Sequence, residues 1–187
     1  RGVTGRLTGG EFSEIRGDAP GLRAGAATPL ARLLDRAQER GLAGLEFLAG
    51  IPGTVGGAVA GNAGAWGRAI GDTVSWIRWL SPDGQSVTTP REHLRFAYRR
   101  GPVPPGGIVL EAGFDMRPDK PDHIREAMNA FLARRAWMAG MRTAGSVFRN
   151  PPGEFAGRLI ERAGLKGFTI GGARVCDRHA NVIVAED

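Results

Sequence analysis

The sequence predicts an α+β fold with at least two subdomains, on three observations. Segments with apolar residues at helical spacing alternate with short strand-like runs. A turn signal at Ser81-Pro-Asp-Gly84 separates two such runs and marks a hairpin. At Pro118–Pro121 the composition turns polar and proline-containing, and a boundary is expected near residues 118–140. No internal repeat or low-complexity tract interrupts this pattern, and strands mixed with helices in this way indicate α+β.

Residues 1–27 read as short strands and turns, with Gly17-Asp-Ala-Pro-Gly21 as the turn between Glu14-Ile-Arg and Leu22-Arg-Ala-Gly25. From Thr28 to Arg40 the period becomes helical. Thr28 is the expected cap, Pro29 the first helical residue and Gly41 the stop. Leu30, Leu33, Leu34 and Ala37 fall on its buried face. Val74–Leu80 and Gln85–Thr89 are the hairpin strands. Arg91–Phe96 has no clear period. Gly101-Pro-Val-Pro-Pro-Gly-Gly107 is neither helix nor central strand, and Ile108–Phe114 is a strand. A long helix is expected over Asp122–Met138, with Ile124, Met128, Phe131, Leu132 and Ala136 on one face. A shorter one is expected over Glu154–Ala163, with Phe155, Leu159, Ile160 and Ala163 apolar, and a strand at Asn181–Val184.

The chain is organised around Gly50–Gly71, GIPGTVGGAVAGNAGAWGRAIG. It holds eight glycines in 22 positions, more than twice the whole-chain density of 30 in 187. Such a run lets the backbone turn sharply or lets a partner approach it. Two readings follow: an ordered segment that cradles an anion or cofactor, and a tightly packed small-residue core segment. A flexible linker fits less well, because Ile51, Val55, Val59, Trp66 and Ile70 are residues that bury.

Bulk properties narrow the class. The sequence shows no apolar run of 18 or more residues, so no membrane span is expected, and no signal peptide is visible in it. Its single cysteine, Cys176, excludes an internal disulfide and suits a reducing, cytoplasmic setting with the thiol in the core. The net charge of +6 comes from 25 Lys and Arg against 19 Asp and Glu. These cations are scattered, so no nucleic-acid or membrane partner is expected; arginines also suit the phosphates of nucleotides and sugar diphosphates. No spacing suggests a metal, and no Walker A or G-x-G-x-x-G pattern occurs. The chain begins at Arg1 inside a strand-like run and ends at Asp187 just after one, so a longer parent protein is expected.

Three residues stand out chemically. Ser146 reads either as a turn serine or as an active-site hydroxyl able to donate a proton beside cations. Arg99, between an aromatic and the Pro/Gly loop, is either a surface arginine or a fixed cation for an enolate or carboxylate. His179 is either a substrate-side hydrogen-bonding group or an ordinary half-buried histidine.

Five segments, in order, resemble the UDP-N-acetylenolpyruvoylglucosamine reductase (MurB) family of flavoenzymes. They are LEFLAGIPGTVGGAVAGNAGAWG (45–67), FAYRR (96–100), AGSVFRNPPGEFAGRLIERAGLKG (144–167), GGARV (171–175) and RHANVIV (178–184). The resemblance covers nearly the whole chain. It implies the second lobe of a vanillyl-alcohol-oxidase-type FAD-binding domain over residues 1–117. It further implies a linking helix and loop over 118–143 and an α+β substrate-binding domain over 144–187. FAD is the implied cofactor, NADPH the implied reductant, and the enolpyruvyl ether of UDP-N-acetylglucosamine the implied substrate. The product would be UDP-N-acetylmuramate, a peptidoglycan precursor.

By motif, Gly50, Ile51, Pro52, Gly53, Gly56, Gly57, Ala58, Asn62, Ala63 and Gly64 match cofactor-binding positions. Ser146 matches the proton donor, and Arg99 the arginine that polarises the substrate carboxylate. Arg149, Asn150 and His179 match substrate-side positions. The family's first FAD lobe would precede Arg1, and its catalytic glutamate would follow Asp187. The run Ala136–Gly145 departs from the Gln-Pro and Pro-Ser pattern of the family. No tyrosine-bearing insertion lies between Phe114 and Ser146, as in the shorter subtype without a lid loop. Two alternatives stand beside this reading: a flavin oxidoreductase of the same fold with another substrate, and a non-catalytic FAD- or UDP-sugar-binding remnant.

Overall fold

The computed structural model describes residues 5–18 and 20–186. The expected strand-like start at residues 1–4 and the Ala19 position of the first turn lie outside them. The chain divides into two compact units, Arg1–Arg135 and Ala136–Asp187.

The first unit is built on a five-stranded antiparallel sheet. Its strands are β1 (Ile15–Asp18), β2 (Gly21–Gly25), β6 (Val74–Leu80), β7 (Ser86–Pro90) and β8 (Ile108–Asp115), in the order β1-β2-β8-β6-β7. The expected hairpin is present, with Leu80 opposite Ser86 and the Gly84 N–H donating to Ser81 O at 2.9 Å. Two small ladders sit beside the sheet. β3 (Leu42–Ala43) pairs with β9 (Arg117–Pro118), and β4 (Gly64–Ala65) pairs with β5 (Arg68–Ala69).

Strand alternation sends Leu22, Ala24, Ile77, Ala112 and Phe114 into the core and leaves Arg23, Trp76, Arg78 and Glu111 on the other face. Against the core face pack α1 (Leu30–Glu39) through Leu30, Leu33, Leu34 and Ala37, and α2 (Val55–Gly61) through Val55 and Val59. The one-turn 3-10 helix Glu46–Leu48 places Phe47 in this core with no solvent exposure. Phe47→Ala is therefore expected to destabilise the unit by about 3–5 kcal/mol, read from the shift in denaturation midpoint.

Helix α1 starts one residue later than the sequence suggests. Pro29 has ψ 138°, so it flanks the helix rather than opening it. Thr28 is not the cap either. It is fully buried, and its carbonyl accepts from the Val55 N–H at 2.9 Å. The first helical amide, Leu30 N–H, donates instead to Gly53 O at 3.0 Å. The glycine-rich segment thus satisfies the helix end that a polar cap otherwise would.

Helix α3 (Pro121–Arg135) buries Ile124 and half-buries Met128 and Phe131 against the same core. It ends at Arg135, three residues before the expected Met138. The next residues, Ala136–Met138, form a 3-10 turn in the second unit.

That second unit is a four-stranded antiparallel sheet in the order β10-β13-β12-β11, from β10 (Arg142–Ser146), β11 (Thr169–Ile170), β12 (Ala173–Val175) and β13 (Val182–Ala185). One helix, α4 (Ala156–Arg162), accompanies it. Its core is small: Cys176, Val182 and Val184, with Trp137 packed against them. Cys176 is a buried thiol, as expected of a core cysteine. The expected apolar face of α4 is not buried: Phe155 is 59% and Leu159 42% exposed, and Ala156 is the helix residue turned inward.

Candidate active site

The glycine-rich segment folds into three parts. Residues 53–56 run antiparallel to 26–30, with Gly56 N–H donating to Ala26 O at 2.9 Å and Val55 N–H to Thr28 O. A Cβ on Gly56 would lie 2.7 Å from the Ala26 Cβ, so glycine is required there by chain-to-chain packing. Helix α2 follows. The sequence reading missed it because its glycines and alanines carry no apolar period. Its signals are an N-cap, Thr54 Oγ1 accepting from Gly57 N–H at 3.4 Å, and a left-handed C-cap, Asn62 at φ 48°. A tight β4–β5 turn through Trp66 closes the segment.

This geometry sorts the ten expected cofactor residues. Ala58 faces the core, and its carbonyl accepts from Ala63 N–H at 2.8 Å. Ile51 and Ala63 pack against the core. Gly64 lies against the Arg68 carbonyl across the β4–β5 turn. Gly50, Pro52, Gly53, Gly57 and Gly64 are exposed. At Gly53, φ is 115° and nothing stands within 4 Å of the Cβ position, so its backbone is strained for any other residue and open to a ligand.

One cation beside this surface was not anticipated from the sequence. Arg135, at the end of α3, packs its Cδ against Gly50; a Cβ there would lie 2.9 Å away. Its Nε is buried without a hydrogen-bond partner, and burial lowers the guanidinium pKa from the ordinary arginine value. Arg134 and Arg135 both lie over the Trp66 ring, at 5.2 and 6.0 Å from its centroid. An orphaned buried donor beside open backbone is the local chemistry of an anion site.

Asn62 works as a clamp. Its Oδ1 accepts from Gly71 N–H at 3.1 Å, and its Nδ2 donates to Ala97 O at 3.0 Å. The second bond ties helix α2 to the turn that carries Arg99. That turn closes by two reciprocal bonds, Ala97 N–H to Arg100 O at 2.9 Å and Arg100 N–H to Ala97 O at 3.0 Å. Arg99 sits in it at φ 53°, a conformation non-glycine residues avoid and functional sites retain. Gly101 then docks on the end of α2, donating to Ala60 O at 2.8 Å. A Cβ on Gly101 would lie 2.2 Å from Val59 O. Gly101→Ala is expected to destabilise the unit by about 1–3 kcal/mol. It should also displace the Arg99 turn, which a parallel measurement of turnover and of denaturation midpoint checks.

The cleft on the outer sheet face, lined by Glu11, Arg23, Trp76, Arg78 and Glu111, is a different kind of feature. Arg78 bonds Glu11 at 2.8 Å and Glu111 at 3.3 Å, so its charges neutralise one another. The network straps the 3-10 turn Gly10–Ser13 to the sheet.

In the second unit the expected residues gather around the end of β10. Ser146 is exposed and follows a β-bulge: Thr143 pairs with Val184, but Ser146 pairs with Val182. Gly145, at φ 76°, absorbs the distortion. Asn150 Oδ1 accepts from Ala156 N–H at 3.0 Å, so it caps α4 and fixes the loop that carries the exposed Arg149. Glu154 supports the same helix end by accepting from Phe155 N–H, which holds its carboxyl below the usual range, with Arg158 and Arg162 adding to the effect. His179 is exposed. Its Nδ1 accepts from Asn181 N–H at 3.3 Å. Its ring runs nearly parallel to Trp137, with centroids 6.2 Å apart.

Among the described residues there is no cluster of His, Cys, Asp and Glu that could hold a metal, and no helix long and apolar enough to cross a membrane.

Comparison with known proteins gives consistent results. Residues 137–187 match the family model for the C-terminal domain of UDP-N-acetylenolpyruvoylglucosamine reductase, and residues 4–90 match that of an FAD binding domain. The chain is 42% identical over 185 residues to UDP-N-acetylenolpyruvoylglucosamine reductase of Granulibacter bethesdensis, covering 98% of this chain and 59% of that protein. Against the same-named protein of Moorella thermoacetica it is 42% identical over 176 residues, covering 93% and 58%. The crystal structure of UDP-N-acetylenolpyruvylglucosamine reductase (MurB) from Thermus caldophilus is similar, with TM-score 0.84 and 37% identity over 96% of this chain and 66% of that one. The chain thus spans somewhat less than two thirds of the length of its relatives.

Proposed function

This chain belongs to the UDP-N-acetylenolpyruvoylglucosamine reductase family, and from that premise we propose that it carries the second FAD lobe and part of the substrate-binding domain of a UDP-N-acetylmuramate-forming reductase. The observation that carries the reading is how the two chemically assigned residues are held. Arg99 is locked at positive φ by Asn62 and Gly101, and Ser146 is aimed by a bulge. Backbone held this way marks functional sites.

The residues fit the flavin cofactor. The buried, unpartnered Nε of Arg135 and the open backbone at Gly53 and Gly57 suit an anionic, planar group. Gly50, Pro52, Gly53, Gly57 and Arg135 would hold FAD, which when bound supplies the hydride taken originally from NADPH. Ile51, Gly56, Ala58, Asn62 and Ala63 shape that surface from behind, and the exposed Gly64 would meet the cofactor, as its motif position implies.

The chain's own residues supply charge and a proton. Arg99 would bind the substrate carboxylate and stabilise negative charge that develops as hydride adds to the vinyl carbon. The Ser146 hydroxyl would donate its proton to the adjacent carbon, so that hydride plus proton saturate the double bond. Arg149, Asn150 and His179 would face the UDP-sugar, with Nε2 of His179 the ring nitrogen not engaged by Asn181. We place the reaction in the cytoplasm, on a small-molecule substrate.

The test is turnover by the purified holoenzyme. It should carry visible flavin absorbance, consume NADPH, and convert the enolpyruvyl sugar to a product heavier by two hydrogens. A protein that never holds flavin is the non-catalytic remnant. One that consumes NADPH only with another acceptor is a different oxidoreductase of this fold.

A further inference from the structure

The loop that follows Ser146 is held by a residue no sequence pattern singled out. The β10–β13 ladder ends at the Ser146–Val182 pair. Beyond it, Asn181 takes over. Its backbone carbonyl accepts from Val147 N–H at 2.8 Å. Its side chain then grips the residue after that on both sides: Oδ1 accepts from Phe148 N–H at 2.8 Å, and Nδ2 donates to Phe148 O at 2.9 Å. Asn181 is only 3% exposed, so these bonds are shielded from water, and leaving any one unmade would strand a buried polar group. Its own N–H reaches His179 Nδ1. Asn181 thereby holds both residues after Ser146, Val147 through its backbone carbonyl and Phe148 through its buried carboxamide, and its backbone N–H meets the substrate-side histidine.

We propose that Asn181 is a positioning residue for Ser146. It sets the path of 147–148 so that the bulge at Gly145 leaves the Ser146 hydroxyl in one orientation for proton delivery. A misplacement of a reacting group by about 1 Å costs on the order of 100-fold in rate. The proposal rests on the proton-donor reading of Ser146.

The discriminating variant is Asn181→Asp. As a carboxylate it still accepts from Phe148 N–H but opposes the Phe148 carbonyl with a second acceptor. Protonated, it is nearly isosteric with asparagine and regains the lost donor. Burial beside a carbonyl favours that neutral form. The experiment follows the two half-reactions of the flavin holoenzyme separately: reduction by NADPH, and re-oxidation by enolpyruvyl-UDP-N-acetylglucosamine, from pH 8 to pH 5.5. His179 is the titratable group in contact with Asn181, and the wild-type profile records its contribution.

At pH 8 the variant's re-oxidation should be slower by about 100-fold, and the deficit should shrink at least tenfold by pH 5.5, with reduction unchanged. Wild type should show no such recovery. Wild-type re-oxidation by the variant at pH 8 overturns the proposal, as does equal loss in both half-reactions. Ser146→Ala is measured alongside. If it is slow while Asn181→Asp is not, only the role of Asn181 falls; if it re-oxidises normally, both readings fall. Should Asn181→Asp not accumulate as folded holoenzyme, Asn181→Ser, which keeps a single hydroxyl partner for Phe148, carries the same test of slowed re-oxidation with intact reduction.

Discussion

Ser146→Ala is expected to slow re-oxidation of the flavin by the enolpyruvyl sugar by roughly 10²–10⁴-fold, the usual worth of a positioned acid. Reduction by NADPH should be nearly unchanged, because that step needs no proton from Ser146. The asymmetry is the informative part. Ser146 is an exposed residue at the end of an edge strand, so shortening it to alanine opens no cavity in the core. A general structural effect would depress both half-reactions together. Stopped-flow absorbance of the two half-reactions separates these outcomes, and equal loss in both removes the proton-donor role.

Arg99 is expected to matter nearly as much, through charge rather than through a proton. Arg99→Met should slow the same half-reaction by roughly 10²–10³-fold and raise the KM for the sugar, since a fixed cation near developing charge is worth several kcal/mol. Arg99→Lys should recover only part of the loss, because a compact ammonium cannot reproduce the planar, two-pronged contact with a carboxylate. The turn is expected to survive either change. It is closed by the backbone bonds between Ala97 and Arg100 and by Asn62, none of which involves the Arg99 side chain. A variant with unchanged re-oxidation and KM would return Arg99 to an ordinary surface role.

Much of the fold was legible where one local pattern and one burial demand coincide. Leu30, Leu33, Leu34 and Ala37 repeat with helical spacing and are all buried, so α1 could be read directly. The Ser81–Gly84 turn between two apolar runs located the β6–β7 hairpin. Helix α2 could not be read this way. Gly56, Gly57 and Gly61 are poor helix formers, and what stabilises them as a helix is Thr54 at one end, Asn62 at the other and the antiparallel contact with residues 26–30. The start of α1 was misplaced for a related reason. Its first amide is satisfied by Gly53, more than 20 residues away in sequence, which no local capping rule detects.

The candidate site shows the same division. Glycine density marked Gly50–Gly71 as special but not which glycines serve a ligand. The structure separates Gly56, pressed on Ala26, from Gly53, which faces open space. Arg135 escaped notice because a basic residue ending a helix is an ordinary dipole partner in sequence. Only its orphaned Nε and its contact with Gly50 distinguish it. Asn181 opens the apolar run Val182-Ile-Val184 and looks like a strand boundary. Its function in holding Phe148 depends on a partner 33 residues away. The spacing around α4 misled in the opposite direction: Phe155, just before the helix, and Leu159 repeat as a buried face would, yet the second unit buries Ala156 instead.

The central claim is that this chain's residues serve hydride and proton addition to an enolpyruvyl sugar. Its most direct test is to bleach the holoenzyme with NADPH under anaerobic conditions and then add enolpyruvyl-UDP-N-acetylglucosamine. The account predicts return of the oxidised flavin spectrum, with one sugar reduced for each flavin re-oxidised. A holoenzyme that bleaches with NADPH and stays bleached when the sugar is added contradicts it.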